Sequence, residues 1–169
     1  ELLACHHENI KADITILGKA LAGGFYPVSG VLTSKKIMNV MKVGQHGSTF
    51  GGNPLACVVA KEAIKFAIEN NLSEKAHKLG LIFRNYLIDH IKKLSIIKSV
   101  RGKGLLNAIV LNCDVKSEIP WNICLSMRDN GLLAKPTQGN KIRFAPPLVI
   151  TEKQLFSSLK IITKSLKNF

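Results

Sequence analysis

The sequence lacks any apolar run long enough to cross a membrane. Its longest apolar stretches have the length of a strand, whereas a transmembrane helix needs about 20 consecutive apolar residues. It also lacks an N-terminal signal segment, and it begins at Glu1 instead of a methionine. Since hydrophobic residues make up 46% of the chain and charged residues 21%, we expect a globular protein. The abrupt start, with no helix cap, indicates a portion of a larger protein.

Cysteine is scarce and scattered. The four cysteines have no close pair of the kind that zinc or redox motifs contain. Cys57 and Cys124 fall on the apolar faces of predicted helices, which is typical of reduced, buried thiols in an intracellular protein. The segment Cys5-His6-His7-Glu8 contains three ligand types, but adjacent residues on a strand point to opposite faces. The sequence therefore predicts no metal site there.

Acidic residues are few. Eleven Asp and Glu stand against 24 Lys and Arg, so the formal net charge is +13, which raises nucleic acid as a partner. The lysines are nevertheless spread over the polar faces of several helices, and aromatic residues make up only 6%. No basic stripe alternates with aromatic residues. This pattern favours a solvated basic surface over a nucleic-acid groove.

What is present is an alternation of strand and helix patterns. It predicts an α/β or α+β layered fold, with a domain boundary at Asn70-Asn71. Asn53 and Pro54 have the form of a helix start, and Thr151-Glu152-Lys153-Gln154 has that of a capping box. The predicted strands are residues 13–18, 26–33, 96–100, 105–111, 132–134 and 141–145; the predicted helices are residues 34–43, 53–70, 73–94, one from Pro120 to Gly131, and one from 151 onward.

Lys19 is the candidate catalytic residue. It follows the apolar, β-branched run Asp13–Gly18, which predicts a short buried strand that ends in a glycine-rich turn. A lysine in apolar surroundings must pair, reach solvent or lose its proton. A neutral lysine amine forms Schiff bases with carbonyl compounds. The alternative for a lone Gly-Lys is a lysine whose ammonium extends from the strand end into solvent.

Two further segments carry candidate binding residues. The loop from Gly47 to Pro54 combines glycines, the hydroxyls of Ser48 and Thr49, and a helix N-terminus, all of which favour phosphate; the alternative is an ordinary helix-entry loop. Arg143 lies between apolar neighbours in a strand that two prolines terminate. Such an arginine needs a carboxylate, which is either a structural partner or a ligand. For Arg101-Gly102-Lys103-Gly104 we favour a hairpin turn.

Together these segments resemble the subgroup of fold-type I, pyridoxal-phosphate-dependent aminotransferases that includes ornithine, acetylornithine and 4-aminobutyrate aminotransferases. Within it, the segments resemble the ornithine aminotransferases. The segments that carry the resemblance occur in the family's order. They are Leu17–Leu21, Gly23–Ser29, His46–Pro54, Arg101–Ala108, Arg128–Thr137 and Ile142–Leu148.

The resemblance implies a fold and a division of the chain. Residues 1–70 would be the C-terminal part of the large, cofactor-binding α/β domain, and residues 71–169 the small α+β domain at the C-terminus. The family subunits pair as homodimers or higher homo-oligomers. No nucleic acid and no membrane is implied as a partner.

The resemblance also implies an activity and its residues. Lys19 would hold pyridoxal 5'-phosphate as a Schiff base and then shuttle a proton between the substrate carbon and the cofactor. Thr49, helped by Ser48, would contact the cofactor phosphate across the dimer interface, and Arg143 would receive the carboxylate of glutamate or 2-oxoglutarate. The reaction would convert L-ornithine and 2-oxoglutarate to glutamate 5-semialdehyde and glutamate.

Several family features are not among these residues. They are the glycine-rich phosphate loop, the stacking aromatic ring, the aspartate that pairs with the pyridine nitrogen, and the glutamate partner of Arg143. We therefore expect this chain by itself to be inactive. Acetylornithine aminotransferase and a non-catalytic remnant stay open as alternatives. The likeness to animal-type sequences favours the mitochondrial matrix over the cytosol, and any transit peptide would precede Glu1.

Overall fold

A computed structural model describes residues 1–169 and divides them into two compact units, Glu1–Ser73 and Glu74–Phe169. The division falls three residues beyond the boundary expected at residues 70–71. Both units mix helices with strands, as the alternating pattern predicts. The assignment of the two parts to a large and a small domain stays a prediction.

The first unit contains one small sheet and one long helix. Strands β1 (Ile14–Leu17) and β2 (Gly30–Thr33) pair antiparallel. The remaining elements are 3₁₀ turns at Ala4–Glu8 and Lys19–Ala22, a short helix α1 (Lys35–Met38) and the helix α2 (Pro54–Glu69). The predicted start of α2 is confirmed, because the Asn53 side chain accepts a hydrogen bond from the Ala56 amide at 2.9 Å.

Strand β1 is not buried, so that part of the sequence interpretation is wrong. Ile14 and Ile16 expose 51% and 77% of their surface. The physical reason is that β1 has only β2 beside it, while α2 packs mainly on the 3₁₀ turn Lys19–Ala22. Apolar, β-branched composition predicts a strand, but burial depends on what covers the strand.

The second unit is built on a four-stranded sheet in the order β3-β4-β6-β5, with every neighbouring pair antiparallel. None of the chain's helices is both long and apolar enough for a membrane crossing. The elements are α3 (Leu72–Ile91), which begins just before this unit, β3 (Ile97–Lys103), β4 (Leu106–Leu111), α4 (Ile119–Asp129), β5 (Lys135–Thr137), β6 (Lys141–Phe144) and α5 (Glu152–Leu166).

The core of the second unit lies on one face of this sheet. Buried side chains of α3, α4 and α5 pack there against those of β4 and β6, such as Ile109 and Ile142. The capping box that starts α5 is confirmed, since Gln154 N donates to Thr151 Oγ1 and Thr151 N to Gln154 Oε1. Two strand predictions shift: β3 continues through Arg101-Gly102-Lys103, which we expected in a turn, and β5 begins at Lys135, after residues 132–134.

Helix α3 approaches the β3–β4 connection very closely. A Cβ added at Gly80 would overlap the carbonyl oxygen of Gly104. Next to this contact, Arg84 Nη1 donates to Gly104 O at 3.0 Å and to Asn107 Oδ1 at 2.8 Å. Burial lowers the pKa of the Arg84 guanidinium. The connection between β3 and β4 is therefore fixed to α3 by backbone contact and by hydrogen bonds.

Candidate active site

Lys19 has an unusual backbone conformation. It opens the 3₁₀ turn Lys19–Ala22 directly after β1, with Gly18 before it, and its φ is 53°. Residues with a side chain pay about 1–2 kcal/mol in this left-handed region, and such strain concentrates at functional sites. The strand therefore ends in a turn that begins at the lysine itself.

The Lys19 side chain is exposed. The sequence argument placed it at the end of a buried strand, where desolvation would favour the neutral amine. Because β1 is exposed, that premise does not hold for these residues. Exposure of Lys19 is compatible with the alternative of a lysine that reaches solvent from a strand end, and its catalytic role stays a prediction.

Lys19 nevertheless lines a cleft of about 720 Å³ in the first unit. Phe25 and Phe50 line the same cleft, together with Gly51, Gly52 and the N-terminal residues of α2. Ligand pockets commonly have volumes of about 300–1,000 Å³. Lys19 is the only charged residue among those that line the cleft, so the cleft favours an anionic group.

The packing of α2 on the lysine turn forms this cleft. Ala22 of the turn and Ala56 of α2 are buried, with 1% and 3% of their surfaces exposed, and a Cβ at Gly23 would lie 3.6 Å from that of Ala63. Small residues let the helix approach the turn closely. The N-terminus of α2, which carries a partial positive charge, is thereby held beside Lys19.

Ser48 and Thr49 do not line the Lys19 cleft. The Ser48 hydroxyl accepts a hydrogen bond from the Gly51 amide at 2.9 Å, so it stabilises its own loop. Both residues are exposed. A contact of Thr49 and Ser48 with the cofactor phosphate, in particular one made across a dimer interface, stays a prediction.

Arg143 lies on β6 in the second unit, between the buried Ile142 and Phe144. Its own side chain is on the opposite, exposed face of the sheet. No carboxylate of the chain lies within ion-pair distance of it. The two explanations from sequence were a structural partner or a ligand, and the structure contains no structural partner. Its role in binding a substrate carboxylate stays a prediction.

Sequence reasoning missed Phe25 and Phe50. They expose 82% and 80% of their surfaces, although aromatic side chains are usually well buried. Phe25 follows one Gly-Gly pair and Phe50 precedes another. These flanking glycines are the only local signal that could have marked the two residues. Residues Cys5–Glu8 form a 3₁₀ turn and not a strand. No three or more His, Cys, Asp or Glu side chains of the chain are placed so that they could hold one metal ion.

Comparison with known proteins places these observations in a family context. The model of the family described as aminotransferase class-III matches residues 1–166. The chain is 52% identical to the mitochondrial ornithine aminotransferase of Rattus norvegicus over 169 residues, which are 99% of this chain and 37% of that protein.

Two solved structures have the same fold. The acetylornithine aminotransferase of Elizabethkingia anophelis superimposes with a TM-score of 0.96 at 58% identity, over 100% of this chain and 42% of that one. An ornithine aminotransferase of Toxoplasma gondii, described with partial occupancy of PLP at its active site, gives 0.92 at 41% identity, over 99% and 39%. The α/β aminotransferase fold is confirmed. The chain spans well under half of the length of each relative. The comparisons therefore support a match to part of these proteins, and not the expected description of the chain as their C-terminal portion.

Proposed function

Because this chain belongs to the class-III aminotransferase family, we propose that it carries the lysine side of a pyridoxal-phosphate-dependent active site. The enzyme that contains this active site transfers an amino group from L-ornithine to 2-oxoglutarate. The products are glutamate 5-semialdehyde and glutamate. The observation that carries the proposal is Lys19, which stands in a left-handed turn and lines a cleft beside the N-terminus of α2.

The residues of the cleft fit the cofactor. A primary amine suits the aldehyde of pyridoxal phosphate, and a helix N-terminus with flanking glycines suits a phosphate. The flat apolar side chains of Phe25 and Phe50 suit an aromatic ring. When bound, the cofactor supplies the electron sink for carbanion chemistry. Lys19 Nζ would hold the cofactor, and the same amine would be available to move a proton at the substrate carbon.

The oxo-acid acceptor needs a cationic partner, and Arg143 fits this role. A guanidinium binds a carboxylate through two parallel hydrogen bonds, and Arg143 has no carboxylate of the chain beside it. Ser48 and Thr49 lie on an exposed loop outside the Lys19 cleft. This position supports a contact with the cofactor phosphate of a second subunit in a homodimer.

A second amino donor, N-acetylornithine, is favoured by one observation. The structure with 58% identity is an acetylornithine aminotransferase, whereas the ornithine aminotransferase of rat is 52% identical. The two functions share the same cofactor chemistry and differ in what holds the far end of the donor. The mitochondrial relative supports the mitochondrial matrix as the compartment, with the cytosol as the alternative.

Reductive labelling tests the proposal at Lys19. We expect pyridoxal phosphate and the purified chain to form a yellow species, which borohydride then fixes on Lys19, as read by peptide mass spectrometry. Lys19→Gln should remove this label. Lys11→Gln is the matched control, since Lys11 is also exposed and lies in the same unit. Labels distributed evenly over the exposed lysines would contradict a cofactor site.

Turnover distinguishes the enzyme from a non-catalytic remnant. We expect the 169 residues alone to bind the cofactor without measurable transamination, because the aspartate for the pyridine nitrogen is not among them. Turnover of L-ornithine by the chain alone would contradict this expectation. Faster turnover of N-acetylornithine than of L-ornithine would select the second donor.

A further inference from the structure

The four-stranded sheet of the second unit is strongly basic. Its strands contain no acidic residue, and their basic residues are Lys98, Arg101, Lys103, Lys135, Lys141 and Arg143. All acidic residues of this unit lie on helices or in loops. The strands therefore carry basic residues alone, whereas the helices and loops of the unit carry residues of both signs.

Three of these side chains form a row across the sheet. Arg101 pairs with Ala108, Ala108 with Arg143, and Arg143 with Lys135. Residues directly opposite in antiparallel strands point to the same face. We call Arg101, Arg143 and Lys135 the cationic row.

The cationic row lies on the face opposite to the core. The neighbours of Arg143 along β6, Ile142 and Phe144, are buried against the helices, so the alternating side chains face the other way. All three members of the row are exposed, and none of their side chains has a hydrogen bond or ion pair within the chain. In contrast, Lys141 on the same face donates to Gln138 O and Asn140 Oδ1.

This arrangement costs stability unless an anion neutralises it. Like charges that lie directly opposite in a sheet are destabilising, and Lys135 and Arg143 are such a pair. Neighbouring strands are about 4.8 Å apart, so the row extends over roughly three strand spacings, about 14 Å. A ligand with one charge can neutralise only part of this row, whereas a ligand with two carboxylates can contact two of its members.

We propose that the cationic row binds a small dicarboxylate, with Lys135 and Arg101 as specificity-determining residues on either side of Arg143. The ligand class rests on the proposed function, in which the amino acceptor is a dicarboxylic oxo acid. Arg143 binds one carboxylate. Lys135, directly opposite, adds a second positive charge at that end, and Arg101 faces the other end across the small side chain of Ala108. The row thereby selects acceptors with two carboxylates over those with one.

Calorimetric titration of the chain with glutarate at low ionic strength tests the proposal, because low salt leaves exposed charges unscreened. We expect saturable binding of glutarate that is about tenfold tighter than that of butyrate, since a charge-assisted hydrogen bond commonly changes affinity by at least that factor. Lys135→Gln and Arg101→Gln should each remove most of this preference, and Lys135→Arg should retain it. Lys160→Gln removes an equal charge from the exposed surface of α5 and should have no effect.

Three results would overturn the proposal. They are unchanged glutarate affinity in Lys135→Gln, an equal loss in Lys160→Gln, and binding of inorganic phosphate that depends on the row as strongly as glutarate binding does. Circular dichroism spectra of the variants exclude unfolding as the cause of a loss. Glutarate binding by the chain needs no cofactor. If glutarate does not bind but Lys19 is still labelled, only the proposal about the cationic row is disproved. Loss of Lys19 labelling with intact glutarate binding would instead count against the proposed enzyme.

Discussion

At the scale of single residues, the four cysteines differ in their environments. Cys124 on α4 is buried, as the sequence predicts, and burial raises the pKa of its thiol to about 11. Cys57 on α2 is exposed, so its prediction as a buried thiol is wrong. The helical patterns of the two cysteines are similar, but α4 packs on the core of its unit, whereas much of α2 has no covering element.

The raised pKa of Cys124 makes stability depend on pH. The unfolded thiol loses its proton near pH 8.5, but the folded thiol keeps it to about pH 11. The folded state therefore holds more protons in this interval, and stability falls as pH rises through it. We expect urea unfolding to show that the stability advantage of the parent over Cys124→Ala is full below about pH 8 and shrinks by pH 10.5. Parallel stability curves for the two proteins across this range would show that Cys124 does not titrate as described.

At the scale of elements, the contact between α3 and the β3–β4 connection determines the effect of a helix substitution. Helix propensity alone predicts that Gly80→Ala stabilises α3 by about 1 kcal/mol. The added Cβ would instead overlap the Gly104 carbonyl, and overpacking costs about 1–3 kcal/mol. We expect a net loss of stability in chemical unfolding. Asn85→Ala, at an exposed position of the same helix, is the control and should be neutral or slightly stabilising.

The helices show how much local sequence signals determine. The Asn53-Pro54 start and the Thr151-Gln154 capping box are correct, because a cap is a contact between residues three apart. The turn expected at Arg101–Gly104 is largely wrong. Gly102 pairs with Asn107 in the sheet, and a glycine that accommodates close backbone approach has the same local pattern as a glycine in a turn.

The candidate site likewise has features that local sequence predicts and features that depend on the tertiary structure. Lys19 and the glycine-rich loop can be recognised in the sequence as candidate functional residues, because the signals for them lie in adjacent residues. The exposure of β1 is not, since it depends on what lies over Ile14 and Ile16. Nor is the cationic row, which forms only when the register places Arg101, Arg143 and Lys135 in line. These three residues lie up to 42 positions apart in the sequence.

At the scale of the whole molecule, the two units bury very different amounts of apolar surface. In Glu1–Ser73 the buried apolar residues are Ala22, Ala56 and Leu72. In Glu74–Phe169 a continuous core includes large side chains from three helices and two strands, such as Phe83 and Met127. Burial of apolar surface is the dominant favourable contribution to folding, so the second unit is expected to be the more stable one.

Hydrogen exchange can measure this difference on two helices of nearly equal length. In α2, Leu55, Val58 and Phe66 expose more than half of their surfaces, whereas in α5 Leu155 and Leu159 are buried. Amide protection ranges from almost none in weakly packed elements to the full unfolding free energy in core elements. We therefore expect amides in the middle of α5 to exchange at least about a hundredfold more slowly than those in the middle of α2.

The comparison of α2 with α5 is not affected by a difference in helix capping. Both have a side-chain cap, at Asn53 and at Thr151, so fraying at their first turns is opposed in the same way. Leu159→Ala should accelerate exchange in α5, because it leaves a cavity in the core and costs about 2–5 kcal/mol. Leu55→Ala should change exchange in α2 little, since Leu55 is 56% exposed. If the two helices exchanged at equal rates, or if Leu55→Ala had the larger effect, the exposed face of α2 would have to be covered in solution, and apolar burial would not be confined to the second unit.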